Sequence, residues 1–124
     1  MKTYKEALII DDDVDLCMTL RTVLRSSITT IKTANTLGEG KKQLLDSKPE
    51  IVFLDNNLPD GEGVTIIKEI KEHSPGSAII FITAVDSAKA KALEAGVDIY
   101  LEKPLTFTAI MSALGGLANK TPVQ

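Results

Sequence analysis

A chain of 124 residues that is 44% hydrophobic and 25% charged has one domain's worth of core, which excludes a disordered segment. Its net charge of −3, with no basic stripe, excludes a surface built to bind nucleic acid directly. The longest nearly apolar stretch, 78–85, is far shorter than the ~20 residues that cross a bilayer, and the opening MKTYKEALII has no secretory-signal pattern.

Short apolar runs alternate with amphipathic stretches along the chain. Ala7–Ile10 predicts a first buried strand, bounded by three aspartates. Val14–Arg25 predicts a helix with Cys17, Leu20, Val23 and Leu24 inward, and Asp13 is placed to cap it. Cys17 is the single cysteine, so no intrachain disulfide can form and a reducing cytoplasm is the expected setting. Its neighbours make it a small buried hydrophobe rather than a reactive thiol. Thr30–Ala34 is a partly polar strand suited to a sheet edge. Thr36–Ser47 reads as a helix with Leu37, Leu44 and Leu45 inward, although Gly38 and Gly40 each cost it about 1 kcal/mol relative to Ala.

Pro49 punctuates the chain before Ile51–Leu54, a wholly apolar strand ending at Asp55. NNLPDGEG at 56–63 is loop-forming by composition. Val64–His73 returns to helical period, with Val64, Ile67 and Ile70 on one side, and Pro75-Gly76 stops it. His73 has no partners at metal-ligand spacing and reads as an exposed residue of the last turn. Ala78–Thr83 is the fourth strand. Ser87–Ala95 is an alanine-rich helix closed by Gly96 at a left-handed position, and Asp98–Leu101 is the fifth strand. A last helix over Thr106–Ala118 would turn Phe107, Ile110 or Met111, Leu114 and Leu117 inward. Residues 1–120 are expected to form one domain, and 121–124 a polar tail or the start of a linker.

Strands apolar on both faces, alternating with helices, predict an α/β fold: a five-stranded parallel sheet, doubly wound, with helices on both faces. The crevice of such a sheet lies beyond the carboxyl ends of its strands. Asp11 and Asp12 follow the first strand, Asp55 ends the third, Thr83 ends the fourth and Lys103 follows the fifth. Three carboxylates, a hydroxyl and an ammonium from four strand ends therefore gather at one rim. Carboxylates so close repel unless a cation neutralises them, and oxygen ligands select a hard ion such as Mg2+, with Mn2+ an alternative. A metal, a lysine and a central carboxylate suit phosphoryl transfer, with Asp55 as the nucleophile.

The segments LIIDDD at 8–13, VFLDNNLPDGEG at 52–63, IFITA at 80–84 and AGVDIYLEKPL at 95–105 resemble the receiver domains of two-component response regulators, chemotaxis-regulator-like, over essentially the whole chain. The resemblance implies the flavodoxin-like strand order 2-1-3-4-5. It implies that Asp11 and Asp12 hold magnesium together with Asp55, the phosphoacceptor, and with the backbone carbonyl of Asn57. It implies a switch hydroxyl at Thr83, a phosphoryl-binding Lys103, a cis bond before Pro104, a ring at Tyr100 that repacks on activation, and loop-shaping roles for Pro59 and Gly63. Asn56 departs from the pattern, being polar where the family more often has an apolar residue. Asn57 and Val85 fall at variable positions flanking the site.

The same resemblance implies a cytoplasmic signalling switch, not an enzyme beyond its own phosphorylation and dephosphorylation. Its partners would be a sensor histidine kinase or phosphotransfer protein upstream and an effector domain or protein downstream. No membrane partner is implied, and the chain would be a monomer or a phosphorylation-dependent dimer. The output surface would comprise the fourth helix, fifth strand and fifth helix. Two alternatives compete. Phosphatases of the haloacid dehalogenase type share an aspartyl nucleophile, Thr/Ser, Lys and acidic ligands, but there the nucleophile ends the first strand in a DxD motif. The other alternative is a pseudo-receiver that works as an interaction module without phosphate.

Overall fold

The computed structural model describes residues 3–84 and 88–120, with side chains through residue 117. Among the described residues, seven strands occur in chain order. Five of them run parallel in the main sheet: β1 (Tyr4–Ile10), β2 (Ile28–Ala34), β3 (Ile51–Asp55), β6 (Ala78–Thr83) and β7 (Ile99–Glu102). Their spatial order is β2-β1-β3-β6-β7. That is the predicted 2-1-3-4-5 winding. The other two, β4 (Asn57–Leu58) and β5 (Gly61–Glu62), pair as a short hairpin within the stretch read as plain loop. A 3-10 turn over Gly63–Ile66 follows the hairpin and leads into α3 (Ile67–His73).

The period-two alternation of strand side chains divides the core into two layers. Leu8, Ile10, Val52, Leu54, Ile79 and Phe81 face α2 (Leu37–Asp46), α3 and α4 (Lys89–Ala95). Ala7, Ile9, Ile51, Phe53, Ile80 and Ile82 face α1 (Val14–Leu24) and α5 (Phe107–Lys120). Fully burying an aliphatic side chain stabilises by about 1.5–3 kcal/mol, so these two layers clamp the sheet between the helices.

Local signals behave as their chemistry requires. The Asp13 carboxylate accepts the Leu16 N–H at 3.1 Å and caps α1. Cys17 is buried, and burial together with Asp11 and Asp13 pushes its thiol up to about 11, so it stays protonated. Gly96 closes α4 with φ +102°, and His73 is exposed in the last turn of α3. The α2 helix forms despite its two glycines. Gly40 is what lets it approach β1, because a Cβ there would lie 2.7 Å from the Ile10 side chain.

Two residues expected inward are not. Leu45 is 70% exposed, since it lies eight positions after Leu37 and is rotated off the stripe that Leu37 and Leu44 share. Phe107 is 65% exposed in the first turn of α5, which begins past the carboxyl rim, beyond the end of β7. The expected tail at 121–124, and with it Val85 and Ser87, lies outside the described residues.

Candidate functional site

Strand register assembles the site. Ile10 pairs with Leu54, so Asp11 leaves β1 level with Asp55 at the end of β3. Asp55 pairs with Ile82, which sets Thr83 one step further along β6. Thr83 pairs with Glu102, and the Lys103 N–H donates to the Thr83 carbonyl at 3.0 Å, which brings the lysine to the same rim. Ligand oxygens of Asp11, Asp12 and Asp55 lie within 4.8 Å of one another. Asp11 and Asp55 are buried while Asp12 is exposed. The Lys103 ammonium lies 3.2 Å from Asp11 Oδ2 and 3.4 Å from Asp55 Oδ1, and the peptide bond from Lys103 to Pro104 is cis. Thr83 is fully buried.

The electrostatics follow from this crowding. Burial, reinforced by the Asp11 charge, raises Asp55 to about 6 even though Lys103 pulls the other way. Asp11 is raised too, chiefly by burial, against the Asp13 backbone N–H and Lys103 that favour its anion. Burial alone would lower Lys103, but Asp11 and Asp55 outweigh it, and the ammonium is held above its ordinary range. Three carboxylates face one ammonium, so a divalent cation would cancel the remaining charge. All-oxygen donors suit a hard ion. The donor set fits magnesium.

The loop after Asp55 is closely tied down. A Cβ on Gly63 would lie 2.2 Å from the Asp55 carbonyl oxygen, so no other residue fits there without moving backbone. Asn57 and Pro59 are exposed on the hairpin, with Asn57 paired to Glu62. Tyr100 on β7 stacks on Phe81, ring centroids 6.2 Å apart, with the Lys89 ammonium 5.3 Å from its ring centre.

Two residues were not identified from sequence as parts of this region. Asp60 accepts the Leu37 and Gly38 N–H groups at 2.8 and 3.0 Å, which lowers its pKa and caps α2 from the hairpin turn. Asn35 donates from its side-chain amide to the Asp11 carbonyl at 2.9 Å and ties the first acidic loop to the start of α2. Neither carries a local signal, because each partner is more than 20 positions away.

The response regulator receiver domain model matches residues 7–115 of this sequence. The chain belongs to that family. Receiver domains are signalling switches, not metabolic enzymes, and the match sets aside the haloacid dehalogenase alternative. The receiver is 32% identical over 108 residues to the KDP operon transcriptional regulatory protein KdpE of Escherichia coli (strain K12), which covers 86% of this chain and 48% of that protein. It spans between a quarter and about half of the length of the curated transcriptional regulators it matches.

Among solved structures, a two-component response regulator from Clostridium difficile superposes with a TM-score of 0.86 at 28% identity, covering 96% of this chain and 99% of that one. A response regulator from Burkholderia pseudomallei, solved with a phosphorylated aspartic acid, a calcium ion and citrate, gives 0.80 at 26% identity, covering 96% and 76%. The beryllofluoride-activated NtrC4 receiver domain, a dimer, gives 0.79 at 32% identity, covering 92% and 97%.

Proposed function

We propose that this receiver takes a phosphoryl group onto Asp55 from a phosphohistidine on a sensor kinase or phosphotransfer protein, and that the modified form is read by an effector domain or protein. The observation that carries the reading is the meeting of Asp11, Asp12, Asp55 and Lys103 at one rim, with Asp55 central and within ion-pair distance of the ammonium. The phosphorylated aspartate of the Burkholderia relative supports it by analogy.

In this mechanism an Asp55 carboxylate oxygen attacks phosphorus in line. The new O–P bond forms as the donor's N–P bond breaks, and the electron pair leaves with the imidazole nitrogen. Lys103 moves from its carboxylate partners onto one phosphoryl oxygen, and the Thr83 hydroxyl donates to another. Asp11, Asp12, Asp55 and the Asn57 carbonyl would hold Mg2+ (Mn2+ would also suit), and when bound the ion would supply positive charge to balance the phosphoryl oxygens. On α1, Val14 and Met18 are 58% and 62% exposed beside the acidic loop and offer the donor an apolar footing.

Phosphorylation leaves about −2 of charge at Asp55 in place of the carboxylate's −1. Thr83 is drawn toward it, Tyr100 repacks into the space released, and the surface of α4, β7 and α5 changes shape. This is a shift between two packings, whose size is set by contacts the phosphoryl makes in only one of them. The chain then acts as a monomer or pairs with a second phosphorylated copy.

Intact mass after treatment with a small-molecule phosphodonor and Mg2+ tests the reading. We expect one phosphoryl increment, which does not form when a chelator is present and is absent in Asp55→Asn. An increment that survives in Asp55→Asn, or none in the wild type, would overturn it. No increment despite a measured Mg2+ site would favour the phosphate-independent interaction module.

A further inference from the structure

Asn56, directly after the proposed phosphoacceptor, is 4% exposed, yet each of its polar groups has a partner. Its N–H donates to the Ile82 carbonyl at 3.0 Å, and its own carbonyl accepts the Gly63 N–H at 2.8 Å. Its side-chain Oδ1 accepts the Val64 N–H at 3.1 Å, and its Nδ2 donates to Glu62 Oε2 at 3.3 Å. The Val64 N–H is one of the donors left without a partner at a helix start, and Glu62, which precedes this 3-10 turn, provides no side-chain cap. Asn56 supplies that cap from across the loop. An apolar residue would fill the same space and leave the Val64 donor unmet.

We infer that Asn56 is a positioning residue: it closes the loop from 56 to 64 into a ring and thereby fixes the Asn57 peptide before a divalent cation binds. The inference rests on the metal-dependent phosphoacceptor reading, since it is the Asn57 carbonyl that completes the proposed ligand set. A loop ordered in advance loses little freedom on binding, so the brace acts on cation affinity rather than on the transfer step. None of its four hydrogen bonds goes to Asp11, Asp12, Asp55 or Lys103.

The test titrates Mg2+ into the whole chain by amide NMR and measures phosphorylation rate against Mg2+ with a small phosphodonor. Asn56→Leu should raise the Mg2+ dissociation constant roughly 5–10-fold and shift the half-saturating Mg2+ for phosphorylation by the same factor. The rate at saturating Mg2+ should stay within about 2-fold of wild type, and the Val64 amide should lose its protection from hydrogen exchange. Glu62→Ala should move Mg2+ affinity in the same direction by about 2-fold, and Glu62→Gln, which keeps the acceptor, should restore it.

A folded Asn56→Leu with unchanged Mg2+ affinity would overturn the inference. Should Asn56→Leu fail to fold, equal affinities for Glu62→Ala and Glu62→Gln would overturn it instead. A wild type that binds Mg2+ but takes no phosphoryl group would sink the phosphoacceptor reading while leaving the affinity comparison intact. A wild type with no Mg2+ site would sink both.

Discussion

The two ends of the sheet bury polar groups in opposite ways. At the amino end, Ser74 and Ser77 are buried, their hydroxyls lie 2.7 Å apart, and the Ser77 hydroxyl donates to the Pro49 carbonyl. These groups are neutral and satisfy one another. At the carboxyl end, Asp11, Asp55, Asn56 and Thr83 are buried, and two of the four are acids pushed toward the neutral form by their surroundings. A fold selected only for stability would have no reason to bury repelling carboxylates. The first end closes the domain, and the second holds an unfavourable arrangement that a divalent cation would relieve.

The sharpest way to break the carboxyl end is Gly63→Ala. Its Cβ would lie 2.2 Å from a backbone oxygen of Asp55, which no side-chain rotation can clear. We expect a loss of roughly 3 kcal/mol or more in urea unfolding, together with loss of phosphoryl acceptance. A variant as stable as wild type would mean the loop has slack to give.

A pH series comes next in size. Asp55 is raised from 3.8 to about 6, so between those values the folded protein binds more protons than the unfolded chain. Its contribution therefore favours folding most below about pH 4, falls as pH rises through the window, and is flat above it. Asp11 acts with the same sign, whereas Lys103 is raised and its contribution persists until pH climbs through its folded value. Each pH unit between the unfolded and folded values is worth roughly 1.4 kcal/mol, which puts the Asp55 share on the order of 1–3 kcal/mol. Asp55→Asn should thus stabilise the metal-free protein at pH 7–8 by that order and flatten the window to the Asp11 share, as read by thermal unfolding. Mg2+ at about 100 times its dissociation constant should raise wild-type stability by about 2.7 kcal/mol at pH 7–8, and Asp55→Asn by less.

How far the contrast between the two ends was legible in sequence depends on what each residue's partner is. The winding and the rim were readable because strands buried on both faces are apolar throughout, and the first polar residue after each marks its end. Ile51–Leu54 followed by Asp55 is the plainest instance. Contacts across the loops were not readable. Asp60 reaches the start of α2, and Ser77 reaches Pro49 from 28 positions away, with nothing local to distinguish either from an ordinary turn residue. The β4–β5 hairpin has two residues per strand, too few for alternation to register. Leu45 and Phe107 were misplaced because hydrophobicity says a side chain could be buried, while helix phase and length decide whether anything lies beneath it.

The smallest effect sharpens the contrast from the quiet end. Ser77→Ala removes the hydroxyl that bridges Ser74 and Pro49, leaving the Pro49 carbonyl without that donor in a space closed to water. Losing a buried neutral hydrogen bond costs about 1–2 kcal/mol. No charge is involved, so the loss should be constant from about pH 4 to 8, including the stretch up to about pH 6 over which the Asp55 contribution falls. Mg2+ should stabilise Ser77→Ala by the same increment as wild type, because the acids lie at the opposite end of the strands. A Ser77→Ala loss that tracked pH, or a reduced Mg2+ increment, would mean that the two ends are coupled through the sheet. Independence would place the cost of the acidic cluster at the carboxyl rim alone.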